Sequence, residues 1–420
     1  MLLVKNGCVI DPVSKKKGVF DILIDDGKIV KTGENLSAEG TVIDATGLFV
    51  TLGFCDVHVH FRDPGFEYKE DIYTGARAAA AGGFTDVVLM ANTKPATDNE
   101  DTLTYVLKKG KETQINVHAC GCVSKNLEGK ELTDMDGLKA AGAIGFTDDG
   151  IPLMDEVLLK EAFLKAAALD VPISLHEEDK RLIKENGINH GAVSDYFGIY
   201  GSPSEAESSL VKRDIDLALS TDVRLNIQHI STKEGVELVR EARKRSKNIF
   251  AEVTPHHLLL NEEAVKEKGT NAKMNPPLRT EEDRKALLEG VKDGSISIIA
   301  TDHAPHSTEE KNKGLTAAPS GIIGLETAFS GAFEACVDSG MIPLEQLVEM
   351  LTVNPRRLYK LECEEIKEGA NADLVIFSDK ESWVYEHSFS KSVNSPFFGR
   401  TMTGKIKYTI CRGELVYEDL

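Results

Sequence analysis

The rhythm of apolar and polar positions changes twice along the chain. Up to about residue 50, short alternating runs at 2–5, 8–10, 21–24 and 28–32 are interrupted by Asn6-Gly7 and Asp26-Gly27. That pattern predicts β-strands joined by tight hairpin turns, with no residue cluster suited to chemistry. From about 51, short apolar runs recur at 54–60, 84–90, 115–120, 143–147, 172–176, 225–229, 248–253 and 296–301. Between them lie helix-like stretches such as 73–81, 101–109, 153–169, 208–220 and 234–245. Eight such β/α units over roughly 300 residues predict an α/β fold, a (β/α)8 TIM-like barrel. After about 360 the pattern turns β-like again, at 374–377 and in a closing hairpin, 405–412 and 415–417, around Gly413-Glu414. The expected division is a barrel over 51–359 and a small composite β-sandwich built from 1–50 and 360–420.

In such a barrel the chemistry gathers at the carboxyl ends of the strands. Six of the eight runs end there in histidines or acids: His58 and His60; Asp148 and Asp149; His176 with Glu177, Glu178 and Asp179; His229; His256 and His257; and Asp302, His303 and His306. His58 and His60 are two apart on a strand, so their rings point the same way, a spacing that suits a divalent cation.

His58, His60, His176 and His229 offer neutral nitrogen. Asp302 and either Asp148 or Asp149 offer anionic oxygen. Six donors exceed one tetrahedral zinc but suit two metals about 3.5 Å apart sharing a carboxylate. Such ions lower the pKa of water to about 7 and polarise a carbonyl, which favours hydrolysis, or its reversal, at an amide-like carbon. Asp302, able to hold metal and to exchange a proton, is the candidate general acid/base. Arg62 and His306 could grip a substrate carboxylate, and Asn92 and Asn275 could hydrogen-bond a planar group. His256 and His257 could be ligands or packing residues. His303 is expected behind the site, and His118, His190 and His387 in structural or exposed positions. The polar, turn-rich segment 307–321 is a candidate lid or a passive loop.

Composition narrows the partners. The net charge of −19 over 420 residues argues against nucleic acid or an anionic membrane, so an anionic ligand must find local cations. No apolar run approaches membrane-spanning length, and the N-terminus lacks a signal-peptide layout. Seven scattered cysteines (8, 55, 120, 122, 336, 363, 411) predict free thiols in a reducing cytoplasm.

Asp56-Val57-His58-Val59-His60-Phe61-Arg62-Asp63-Pro64-Gly65 and Ala300-Thr301-Asp302-His303-Ala304-Pro305-His306 resemble the two signatures of the dihydroorotases of the amidohydrolase superfamily, of the long bacterial and archaeal type. The resemblance extends to Gly369-Ala370-Asn371-Ala372-Asp373-Leu374-Val375-Ile376-Phe377. It implies reversible cyclisation of N-carbamoyl-L-aspartate to L-dihydroorotate and water in pyrimidine synthesis, with two zinc ions per subunit. By position, it assigns His58, His60 and Asp302 to one zinc, His176 and His229 to the other, and Asp149 to both. It assigns Arg62, Asn92, Asn275, His306 and backbone near Ser320 and Gly321 to the substrate, and raises aspartate transcarbamoylase or a second copy of the chain as candidate partners. Many superfamily members bridge their metals with a carboxylated lysine near the fourth strand. Residues 142–147 contain none, which resembles the branch that uses aspartate. The rival readings are another cyclic-amide hydrolase, an allantoinase or hydantoinase, and a non-catalytic partner of aspartate transcarbamoylase. The missing lysine and the Arg62/Asn92 pair weigh against the first. The full ligand set weighs against the second.

Overall fold

The computed structural model describes residues 1–419. Seven barrel strands are regular. Phe54–Val59, Phe84–Leu89 and Asn116–Ala119 form one parallel group, and Ile173–Leu175, Leu225–Ile227, Ile249–Val253 and Ile298–Ile299 the other. Bridges join the groups into a closed ring. Phe146 pairs with Gly121 on one side and Ile173 on the other, and Val59 pairs with His303. The fourth strand, predicted over 143–147, is therefore reduced to single bridges at Phe146. Gly145 passes so close to the barrel floor that a Cβ there would lie 2.6 Å from the Tyr359 ring, and the next strand begins after Pro172, which has no N–H to give.

The outer helices form where the apolar period switches to 3.6. Ile72–Ala81 starts at a reciprocal cap between Asp71 and Thr74. Lys233–Arg243 buries Val236, Val239 and Ala242 along one stripe and leaves its charges outside. Predicted and observed helices differ by a few residues at their ends, as with Ser204–Thr221 against 208–220.

The two termini meet in an eight-stranded sheet. Its order is Glu414–Glu418, Thr401–Cys411, Leu374–Val384, Phe49–Leu52, Leu2–Asp11, Lys16–Asp25 and Lys28–Gly33, with Thr41–Asp44 beside Leu2–Asp11. Leu374 pairs antiparallel with Leu52, so the C-terminal strands lock onto the strand that leads into the barrel. Asp26-Gly27 makes the expected turn, but Asn6-Gly7 does not. It is a bulge inside one continuous strand, Leu2–Asp11. Gly7 is there for closeness rather than for reversal: a Cβ would lie 2.4 Å from Val50 Cγ2. An aromatic cluster of Phe49, Phe54, Phe84, Phe329 and Phe377 seals sheet to barrel, with Phe329 and Phe377 at 4.5 Å between centroids.

On the barrel floor, Arg356 Nη2 donates to Asp86 Oδ2 at 2.6 Å, and Asp86 Oδ1 meets His118 Nε2 at 3.0 Å. Burial alone would raise the Asp86 carboxyl; Arg356 and His118 outweigh it and hold it well below the ordinary range. Arg356→Met is expected to cost about 3–5 kcal/mol in denaturant unfolding, because it strands a buried carboxylate. A loss below about 1 kcal/mol would contradict that account. The wild-type contribution of Asp86 should be complete above its unfolded pKa, about 3.9, and lost as pH falls towards the lower folded value, where the unfolded chain binds the proton first.

Candidate metal centre

His58 lies one residue before the end of the first barrel strand and His60 just past it, with ring centroids 5.3 Å apart. Backbone and core groups set this geometry. Asp56, fully buried, accepts from His58 N at 3.0 Å and from Thr301 Oγ1 at 2.6 Å, tying the first strand to the last. Burial pushes its carboxyl up to about 7, against the hydrogen bonds from Thr301 and His58. His60 N donates to His303 O at 2.9 Å and completes the ring closure. Three site residues, Arg62, His229 and Asp302, hold positive φ values of 59°, 32° and 46°. Strain of this kind costs of order 1–3 kcal/mol per residue and persists only where surrounding contacts over-determine the backbone.

Six buried side chains converge. His58 Nε2 lies 3.4 Å from Asp149 Oδ1 and 3.5 Å from Asp302 Oδ1, and His60 Nε2 lies 3.0 Å from Asp302 Oδ1 and 3.4 Å from Asp149 Oδ2. On the other side, His176 Nδ1 and His229 Nε2 lie 3.9 and 3.8 Å from Asp149 Oδ1 and 3.0 Å from each other. Ligands about 2.0–2.1 Å from a tetrahedral zinc stand a little over 3 Å from one another, so these spacings suit metal coordination. His58 Nε2 and Asp149 Oδ1 are buried and have no hydrogen-bond partner. Unpartnered atoms of that kind are expensive unless something else satisfies them, and a cation between them would. The donor set therefore fits a metal. Burial alone would raise both carboxyls, but the facing imidazoles, His58 first, hold Asp149 and Asp302 below the ordinary carboxylate range.

The choice between Asp148 and Asp149, open in the sequence, has a geometric answer. Asp148 turns away to accept from Val123 N at 2.8 Å and Ser124 N at 3.1 Å. Asp149 alone of the pair faces the histidines.

Three of the four inward rings are also held from behind. His60 Nδ1 donates to Asn92 Oδ1 at 2.9 Å, and Asn92 Nδ2 donates to Asp149 Oδ2 at 3.2 Å. His176 Nε2 faces Glu178 Oε2 at 3.5 Å, and that carboxylate accepts from Asn275 Nδ2 at 3.0 Å. The two asparagines, expected to contact a ligand directly, thus touch the histidines and carboxylates of the centre. His58 Nδ1 meets Glu252.

Beside the centre stands a basic corner. Arg62 Nη2 lies 3.5 Å from His306 Nε2, Lys69 Nζ lies 3.3 Å from His306 Nδ1, and His306 Nε2 donates to Ser320 O at 2.9 Å. Burial, with Arg62, Lys69 and Lys311 nearby, holds His306 neutral, far below its usual pKa. Gly321 allows the close approach: with φ of 154°, a Cβ would lie 2.7 Å from the His306 ring. The segment 307–321 contains one helical turn, Thr308–Lys311. Two buried lysines tie it down. Lys273 Nζ donates to Leu315 O and Ala318 O at 2.6 and 2.7 Å, and Lys311 Nζ to Gly321 O and Pro319 O at 3.0 and 3.1 Å.

The remaining histidines lie outside the cluster. His257 bonds Thr254 and Pro276 O, and burial pushes it down to about 4. His256 is buried against its ring. His303 packs behind the site on Glu70. His118 joins the floor, His190 stacks on Tyr200 and His387 is exposed. Sequence reasoning missed Asp56, Lys69, Glu252 and Asn394. Asn394 reaches in from the C-terminal segment to take His306 N at 3.0 Å and to donate to Ala304 O and Gly321 O, both at 2.9 Å. Glu252 and Asp56 carried a readable signal, each as a lone acid in a buried strand, Ile249–Val253 and Phe54–Val59.

Known proteins share this architecture. Residues 47–235 match the Dihydro-orotase-like family. A dihydroorotase of Clostridioides difficile is 51% identical over 99% of this chain and 100% of its own, and one of Clostridium acetobutylicum is 49% identical over 100% of both. Among solved structures, the L-hydantoinase (dihydropyrimidinase) of Arthrobacter aurescens superposes with a TM-score of 0.87 at 26% identity, covering 99% of this chain and 96% of that one. The D-hydantoinase of a Thermus species superposes at 0.85 with 24% identity over 100% and 96%, and bears on the fold alone. These neighbours share the barrel and the sheet, while the sequence relationship over the full length is far closer to the first group. The chain belongs to the dihydroorotase family.

Proposed function

We propose that this chain interconverts L-dihydroorotate and N-carbamoyl-L-aspartate in pyrimidine synthesis, using two zinc ions. The observation that carries the reading is Asp149, whose one carboxylate reaches His58 and His60 on one side and His176 and His229 on the other. In this reading His58, His60 and Asp302 would hold one ion, His176 and His229 the other, and Asp149 would serve both. Bound there, the ions would activate water near neutral pH and polarise a carbonyl.

The protein's own groups supply the rest. In the hydrolytic direction water adds to the ring carbonyl, the C–N bond breaks, and the ring nitrogen must gain a proton. Asp302 takes the proton from water and delivers it to that nitrogen. In cyclisation the same carboxylate returns it, and water leaves. Arg62, with Lys69 beside His306, supplies local positive charge for the carboxylate on the ring, which offsets a net charge of −19. His306, Ser320 and Gly321 shape that corner, while Asn92, on His60, and Asn275, on Glu178, would hydrogen-bond the substrate from beside the metal ligands. All six proposed ligands are present, which favours catalysis over a non-catalytic partner.

The seven cysteines are free thiols, which suits a cytoplasmic enzyme. Aspartate transcarbamoylase, whose product is the substrate of the cyclisation, and a second copy of the chain are the partners the reading allows. No helix among the described residues is long and apolar enough to cross a membrane.

The reading makes a separable prediction. Arg62→Ala should raise KM for dihydroorotate roughly 10- to 100-fold, the worth of a charged hydrogen bond, with a smaller effect on a neutral ring such as a hydantoin. Equal losses on both substrates would argue against carboxylate recognition and towards a neutral cyclic amide.

A further inference from the structure

Behind the proposed metal site a column of buried polar groups crosses the barrel interior. Glu252, with no exposed surface, meets His58 Nδ1 through Oε1. The same oxygen accepts from His229 N at 3.2 Å. Its other oxygen accepts from Asn226 Nδ2 at 2.9 Å. Asn226 continues to Ser174 Oγ at 3.3 Å, and Ser174 to Tyr359 Oη on the floor at 2.9 Å. One carboxylate thus contacts a histidine from each half of the cluster, one by its ring and the other by its backbone.

We propose that Glu252 is a positioning residue that sets metal affinity in this centre. The inference rests on the two-metal reading above. A carboxylate at Nδ1 keeps the proton there and leaves Nε2, the unpartnered buried atom, free to coordinate. Such a partner also makes the imidazole a better ligand, and losing it costs roughly 10- to 100-fold in metal affinity. The bond to His229 N adds a second effect, since His229 holds a strained backbone at φ of 32° that needs an anchor. Charge adds a third. Asp149, Asp302, Glu178 and Glu252 bring four buried carboxylates to four imidazoles, an excess of negative charge that divalent cations would balance. The floor end of the column is neutral, so its far members should matter little to the metal.

The test is zinc affinity of the full chain, measured by competition with a chromogenic chelator, alongside the Tm of the metal-free protein. Glu252→Gln keeps an acceptor towards His58 and removes the charge. Asn226 Oδ1, buried without a partner, can turn to accept from the new amide. Zinc should bind this variant 10- to 100-fold more weakly, with the metal-free Tm within a few degrees of wild type. Tyr359→Phe, at the far end, should change zinc affinity less than about threefold. Glu252→Asp, with the charge withdrawn by one methylene, should fall between Gln and wild type, and it substitutes for the Gln variant if that one does not fold. Wild-type zinc affinity in Glu252→Gln, or equal losses in Glu252→Gln and Tyr359→Phe, would overturn the proposal in favour of a structural role. So would failure of both Glu252 variants to fold. Absence of zinc binding in the wild-type chain would instead overturn the metal reading itself.

Discussion

Asp302→Asn should lower kcat by roughly 10³-fold or more while the protein folds as before, since a positioned acid/base alone is worth about 10²–10⁴. Asp302 is buried, and its Oδ1 touches both His58 and His60. An amide of the same shape keeps an oxygen for those contacts but cannot carry the proton that the reaction must move. Asparagine also tolerates the left-handed backbone at this position, φ of 46°, which most residues would not. The loss should therefore fall on turnover and, more modestly, on metal affinity, but not on the fold. Steady-state rates at measured zinc content, beside the Tm, check this. A kcat within tenfold of wild type would remove Asp302 from the proton path.

The second large effect belongs to the neighbouring pair at the fourth strand. Asp149→Ala should reduce bound zinc from two per chain to one or fewer and abolish measurable turnover, because its carboxylate lies within 4 Å of His58, His60, His176 and His229 together. Asp148→Ala should do something different. Its oxygens serve the backbone of Val123 and Ser124, so its loss should cost stability, about 1–3 kcal/mol for stranded buried donors, and leave zinc content intact. Metal analysis after dialysis separates the two. Loss of zinc from the Asp148 variant with retention in the Asp149 variant would reverse the assignment.

Much of this centre is legible in the chain because a barrel imposes a rule on position. Side chains that meet must come from strand ends, and His58, His60, His176, His229 and Asp302 each stand at such an end. Strand pairing is less legible where glycine and proline interrupt it. Gly145 and Pro172 reduce the fourth strand to Phe146, and Gly7 reads as a turn although it fills a tight contact inside a strand. Least legible are the groups behind the ligands. Asn92 and Asn275 read as substrate-binding amides by type and place, but their hydrogen bonds to His60, Asp149 and Glu178 span 32 to 97 residues and leave no local signal. Lys69 and Asn394 reach His306 from about 240 and 90 residues away, and no local period marks a contact of that range. The resemblance assigned Asp149 over Asp148; the hydrogen bonds of Asp148 give the physical reason, which adjacency alone could not.

The most direct test of the account is turnover of L-dihydroorotate by the purified, zinc-loaded chain, with allantoin and a hydantoin in parallel and a chelator added and then reversed. Ring opening of dihydroorotate is expected well ahead of the other two, stopped by the chelator and restored by zinc. Turnover of another ring with dihydroorotate untouched, or turnover of dihydroorotate indifferent to the chelator, would contradict it.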